Sequence, residues 1–243
     1  MTGDVRVPVP VELRERAARA GVPPAQVTRF RPRSWERALA FVPEACALLR
    51  DVTLTGEVEG SELDRTVERS ALTDHLATID LTDRTVVLSS FTLVVAWGAG
   101  TTNTRSLRYT PQALADPYRA SGELAGAIER LRADDIVGAY RGFRLPGIGQ
   151  SFATRWFALA GRVAGRPWQP LILDAHVRLA LDVMGVPPSV VSAGRRTRAG
   201  AYEAYVEMLH EWAQHLRSEI PECRAETLEW LLASYGRASW KRT

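Results

Sequence analysis

Lysine is all but missing from this 243-residue chain: of its 31 Lys and Arg residues, every one except Lys241 is arginine. Such a bias reflects either a GC-rich genome or a phosphate-bearing partner, whose geometry a guanidinium fork matches. The net charge of +3 and the pI of about 9.1 admit nucleic acid without arguing for it. Cysteine is scarce too. Cys46 and Cys223 fit no CxxC or zinc spacing, which leaves two buried thiols as the expectation and a reducing cytoplasm as the setting. The four histidines have no partners at ligand spacing, so no metal is expected. Also absent is any apolar run long enough to cross a bilayer, and MTGDVRVPVP has no apolar signal core. These absences predict a soluble, cytoplasmic protein with no membrane partner. Nothing in the composition requires an oligomer, and a monomer is expected.

What the chain does have is helical patterning. Pro8, Pro10, Pro23, Pro24 and Pro32 punctuate residues 1–33 too often for a long helix and predict an arm lying on the surface. From residue 34 to 243 the pattern reads as one all-helical domain. SWERALAFVPEACALLR opens on Ser34 as a cap and should bend or split at Pro43. SELDRTVERSALTDHLATI reads as a helix in which Ser61 and Asp64 resemble a capping box. TDRTVVLSSFTLVVAW carries a β-branched run, but its length favours a buried helix ending at Gly98 over a strand. Further helices follow at SGELAGAIERLRA, DDIVGAYRGFR, DAHVRLALDVMG, YEAYVEMLHEWAQHLRSEI and AETLEWLLASYG. The fold class is all-α, with short loops and two lobes.

One stretch stands out, RLPGIGQSFATRWFALAG, from Arg144 to Gly161. Pro146 cannot continue a helix, Gly147 and Gly149 are free to take positive φ, and a new helix begins near Gln150. This predicts a helix-hairpin-helix over about residues 135–161. Such a turn leaves unpaired amides at the start of the second helix, where the macrodipole is positive, and so makes a phosphate site. The glycines let a nucleic-acid backbone approach those amides, a contact that carries no sequence information. An ordinary helix-helix turn has the same pattern.

The segment PLILDAHVRLALDVMG then places Asp174 immediately before an amphipathic helix, one helix and a loop after the hairpin. In this order the two elements resemble the helix-hairpin-helix DNA glycosylase superfamily, which pairs an LPGVG-type hairpin with a downstream D-x-H-like element. The wider chain, including VVAWGAG and DIVGAYRGFRLPGIGQSFATRWFALAG, is similar to bacterial proteins with an 8-oxoguanine glycosylase fold. Those in turn are similar to proteins associated with phage defence as well as repair. The spacing from Gly149 to Asp174 is longer than is usual for the superfamily, the extra residues lying in GRVAGRPWQP.

The resemblance implies a catalytic aspartate at Asp174. Breaking an N-glycosidic bond builds positive charge on the sugar, and a fixed carboxylate facing C1′ can stabilise it and activate water. Asp is equally a preferred N-cap, and the two roles are compatible. His176 could support Asp174, approach a phosphate or be a satisfied, partly buried imidazole. Bifunctional members of the superfamily attack C1′ with a lysine on the hairpin's second helix. Here the matching residue is Ser151 and Arg155 cannot serve as an amine nucleophile; Lys241, third from the end, and the α-amino group are the remaining, poor candidates. A monofunctional mechanism follows, with water as nucleophile and an abasic site in an intact strand as product.

The remaining candidates are weighed against plainer roles. Gly147, Gly149, Gln150 and Ser151 are the expected backbone contacts. Arg195, Arg196 and Arg198 in AGRRTRAG would add salt-sensitive phosphate contacts or form a solvated basic turn. Asn103, in WGAGTTNTRSLRY, is a wedge by resemblance or part of a solvated loop, and Trp97 and Trp230 wall a base pocket or belong to the core. No cofactor is expected beyond the monovalent cation at the hairpin that the resemblance implies. The expected partner is double-stranded DNA carrying a modified base, oxidised guanine or a hypermodified phage base. A non-catalytic hairpin module that merely grips DNA is the alternative.

Overall fold

The computed structural model describes residues 7–20, 25–100 and 104–240, and it is mostly helical with one small sheet. The chain divides into two compact units, Met1–Pro24 with Ala164–Thr243, and Ala25–Val163. The stretch expected as an arm is shared between them and carries two elements. Helix α1 (Val11–Arg19) starts directly after Pro10 and buries Leu13 and Ala17. A proline in front of a helix removes no bonded amide, so the prolines position this short helix rather than forbid it. Strand β1 (Val27–Phe30) buries Phe30.

In the Ala25–Val163 unit, β1 leads to α2 (Pro32–Ala38), a 3-10 turn (Pro43–Cys46), β2 (Thr55–Val58), β3 (Ser61–Glu68) and α3 (Arg69–Ala77). The break expected at Pro43 is there, but Ser34 is not a cap: Arg31 precedes α2 and Pro32 occupies its first position. The helix expected from Ser61 is corrected more deeply. Its first eight residues are β3, the middle strand of an antiparallel sheet in the order β1-β3-β2. Gly60, at φ 73°, turns β2 back into β3, and Thr66 and Val67 pair across to Thr28, Arg29, Gly56 and Thr55. Asp64 is no capping acid but lies buried between Arg29 and Arg31.

Helix α4 (Arg84–Ala99) forms the centre of this unit, with every residue from Val87 to Trp97 buried. A helix apolar on all sides belongs inside a core, and the β-branched run is tolerated because packing outweighs propensity. Asp83 caps it through Thr85 N and Val86 N, and it ends at Gly100, φ 63°, rather than at Gly98. Around α4 pack β1, α5 (Thr104–Ala113), α6 (Pro117–Arg132) and α8 (Gln150–Ala160), while α7 (Ile136–Gly142) packs on α6. Phe91 of α4 meets Trp156 of α8 edge to face at 5.7 Å, and the Trp156 indole donates to Leu124 O at 3.1 Å.

The second unit holds α1, α9 (Ala175–Val183), α10 (Pro188–Val191), α11 (Arg198–Leu216) and α12 (Ala225–Trp240). Helix α12 lies against α1, α9 and α11. It approaches α9 so closely at Gly236 that a Cβ there would sit 2.0 Å from the His176 carbonyl oxygen. No helix among the described residues is long and apolar enough to cross a membrane.

Candidate functional site

The hairpin is built as its sequence suggests, with one difference. Leu145 O accepts the Ile148 amide, and Gly147 takes φ 73°, a region that favours glycine. Its Cβ position would also fall 3.0 Å from Tyr109 Cβ, so α5 closes one side of the turn. Gly149, by contrast, is extended at φ −80° and ψ 173°, a conformation open to any residue. A Cβ built there would meet nothing within 4 Å. The fold does not require glycine at 149; an approaching ligand would. Gly149 is the N-cap of α8 and supplies no side-chain cap, and the amides of Gly147, Gly149 and Ser151 bond to no described residue. They form an anion-accepting helix start. Gln150 and Ser151 occupy the first two helical positions, and Ser151 carries a hydroxyl.

Asp174 stands at the head of α9 in the other unit. It is 7% exposed, and its Oδ1 accepts the amides of His176 at 2.9 Å and Val177 at 3.1 Å. The cap role is therefore real, and it fixes the plane of the carboxylate. What leads into Asp174 is a buried segment, residues 169–173, that is neither helix nor strand. Side chains of neighbouring helices bond its backbone. Tyr202 and Tyr205 donate to Leu171 O at 2.7 Å and Ile172 O at 2.8 Å, and the Ile172 amide donates to Glu229 Oε2 at 2.7 Å. Glu229 is itself 2% exposed. Buried polar networks of this kind hold a unique backbone path, because any slip leaves a group unpaired. Sequence reading passes over Tyr202, Tyr205 and Glu229, since tyrosines and a glutamate at helical spacing read as ordinary helix faces. The one signal is the unbroken apolar PLIL preceding Asp174, which has no strand to pair with.

His176 has a buried Nδ1 with no hydrogen-bond partner among the described residues, and its ring meets Trp240 edge-on at 5.8 Å. The three loop arginines separate. Arg195 binds Glu203 and, at 2.7 Å, Glu207, which turns it toward α11, whereas Arg196 and Arg198 are exposed. Trp97 is 8% exposed and donates to Gln26 O at 3.1 Å, which places it in the core between α4 and β1. Trp230 is half-buried on α12, in the unit of Asp174. Asn103 and Lys241 lie outside the described residues. Thus the hairpin residues are brought together at one end of α8, and Asp174, Trp230 and the arginine loop belong to the other unit.

Among the described residues no cluster of His, Cys, Asp and Glu has the makings of a metal site. A monovalent cation at the hairpin would rest on neutral carbonyls, of which Leu145 O already accepts Ile148 N–H.

No curated protein and no solved structure matches the chain. A family model does, over residues 21–233, which span β1, the sheet, the hairpin, Asp174 and most of α12. By that match the chain belongs to the family described as "Putative 8-oxoguanine DNA glycosylase OGG-like protein".

Proposed function

We propose that this protein is a monofunctional DNA glycosylase that extrudes a modified base from duplex DNA and hydrolyses its N-glycosidic bond. The observation that carries the reading is Asp174, a buried carboxylate oriented by two amides on a backbone path held by Tyr202, Tyr205 and Glu229. A base inside a duplex cannot be reached, so the nucleotide is turned out of the stack. As the C1′–N bond lengthens, its electron pair leaves with the base and the sugar becomes cationic. The Asp174 carboxylate stabilises that cation and draws a proton from the incoming water, whose oxygen bonds to C1′. The departing base takes up a proton, and an abasic sugar remains in an unbroken strand. The open start of α8, whose amides at Gly147, Gly149 and Ser151 bond to no described residue, grips a DNA phosphate. No step runs through a cation at the hairpin. Oxidised guanine and a hypermodified phage base are the substrates to try, and the reading covers repair and phage defence alike.

The test is abasic-site formation, read as alkali-sensitive breaks. Wild type and Asp174→Asn are compared on duplexes carrying 8-oxoguanine and on genomic DNA from phages with modified bases. Abasic sites made by wild type and not by the variant are expected. Salt-dependent duplex binding with no abasic sites on any substrate would replace this reading with that of a DNA-gripping module.

A further inference from the structure

The sheet of the Ala25–Val163 unit carries a feature that base excision does not use. RFRPR, residues 29–33, alternates exposed arginines with buried Phe30 and Pro32. On a strand this puts Arg29 and Arg31 on one face and Phe30 on the other. Between them, on β3, sits Asp64. Arg29 Nε donates to its Oδ2 at 2.7 Å and Arg31 Nε to its Oδ1 at 2.8 Å, and a terminal nitrogen of Arg29 also pairs with Oδ2. The carboxylate side chain is 5% exposed, while the two arginine side chains are 48% and 56% exposed. The hydrogen bonds from Arg31, then those from Arg29, hold Asp64 below the usual carboxylate range.

One side-on arginine would suffice to neutralise one buried carboxylate. Here two converge, which leaves one positive charge in excess. The Nε donors face Asp64, so both terminal nitrogens of Arg31 and one of Arg29 keep their protons for another acceptor, and they have no further partner among the described residues. Asp64 holds the two forks in fixed positions, which lowers the ordering cost of binding an oxyanion. The strand beyond adds little bulk: Gly56 leaves its face bare, and a Cβ there would meet Thr66 Oγ1 at 2.8 Å. Glu62 and Glu68 occupy the same face of β3 toward its two ends, where Glu68 accepts the Ser70 hydroxyl, so the cationic part is confined to the middle. Arg33 follows, exposed, in the first turn of α2.

The chemistry argues for the DNA backbone as the partner, because a guanidinium fork matches a phosphate bidentately. The last two turns of α4 have β1 on one side, where Thr28 Cγ2 approaches Gly100 and Trp97 bonds Gln26. They have α8 on another, where a Cβ on Gly98 would meet Arg155 Cδ at 2.6 Å. Thr28 alternates with Arg29, so α4 lies against the Phe30 face, and the two arginines stand on the opposite face of the sheet, in the same unit as the hairpin.

We infer that Arg29 and Arg31, clamped by Asp64 on the outer face of the β1-β3-β2 sheet, form a second DNA-backbone contact that binds phosphate without reading sequence. The inference rests on the reading of the protein as a DNA-binding enzyme. It is tested by titrating an unmodified fluorescent duplex over a range of KCl, with wild type and Arg31→Gln, in which Arg29 still satisfies Asp64. The salt slope should fall by about one and affinity at physiological salt by several-fold, equally for unrelated sequences. Because loss of partners for Asp64 destabilises the sheet, the second variant is Arg29→Gln with Arg31→Gln and Asp64→Asn, neutral throughout. Its slope should also fall by about one and its affinity several-fold, because the cluster's single excess positive charge is gone in both variants. A folded triple variant that binds with the wild-type slope, or a loss confined to one sequence, overturns the contact. The two readings fail separately: no abasic sites alongside a reduced slope refutes the glycosylase and keeps the contact, and unimpaired slope with active excision does the reverse.

Discussion

Two helix starts do opposite things with the same electrostatics. At α8 the amides of Gly147, Gly149 and Ser151 have no acceptor among the described residues, and the space where a Gly149 side chain would stand is empty. At α9 the first amides already hold an anion, the Asp174 carboxylate, and the preceding backbone is buried and pinned by Tyr202, Tyr205 and Glu229. A helix N-terminus attracts negative charge in either case. Where the chain leaves that charge out, the end is suited to seize an anion from elsewhere; where it builds the charge in, the end presents a fixed carboxylate to something positive. A phosphate and an oxocarbenium-like sugar are such a pair of partners.

The largest effect should come from taking the charge out of the α9 end. Asp174→Asn keeps an oxygen for the His176 and Val177 amides but loses the negative charge, so single-turnover excision should drop at least about a hundredfold with duplex affinity unchanged. Asp174→Ala should be as inactive and in addition cost about 1 kcal/mol of stability, the worth of the cap. Equal melting of the two variants would show that the hydrogen bonds to Oδ1 contribute nothing. Undiminished excision in Asp174→Asn would remove the residue from the chemistry.

Next in size is a contrast of glycines. Gly236→Ala forces a methyl against the backbone of His176 beneath Asp174, and overpacking of that order costs about 2 kcal/mol, or roughly 5 °C in melting temperature. Gly149→Ala meets no atom and should melt within about 0.5 kcal/mol of wild type. Gly149→Val, at a backbone conformation valine accepts, should fold equally well yet weaken binding to every duplex sequence on the order of tenfold, about one charge-assisted hydrogen bond. A glycine at 149 that proved essential for folding would erase the difference between the two helix starts.

Both starts were legible in the sequence because local chemistry made them. Pro146 and Gly147 interrupt a helical pattern, and Asp174 precedes one. What could not be read was set by distant partners. Ser61 and Asp64 have the spacing of a capping box, and only β1, more than thirty residues earlier, turns Asp64 into the acceptor of Arg29 and Arg31. Residues 1–33 look like an arm because prolines veto long helices, but a nine-residue helix and a four-residue strand fit between them. Arg195 is indistinguishable from Arg196 in a basic loop until α11 brings up Glu203 and Glu207. The hydroxyls of Tyr202 and Tyr205 find their carbonyls only in the folded chain, so the support of Asp174 left no local trace.

The smallest expected effect is at Ser151, and it decides whether the α8 end takes any part in the chemistry. If that end only holds phosphate, its side chains supply no nucleophile: Ser151 is a hydroxyl on the first turn, and its amide rather than its Oγ makes the contact. Ser151→Ala should then change the excision rate by no more than about twofold. Borohydride added during turnover should trap no protein on DNA, because an imine needs a primary amine and the chain offers only Lys241 and its α-amino group. The product strand should stay whole until alkali breaks it, and Lys241→Ala should match wild type. A trapped adduct that disappears in Lys241→Ala would move the nucleophile to the end of the chain, demote Asp174 to a supporting carboxylate and make the enzyme bifunctional.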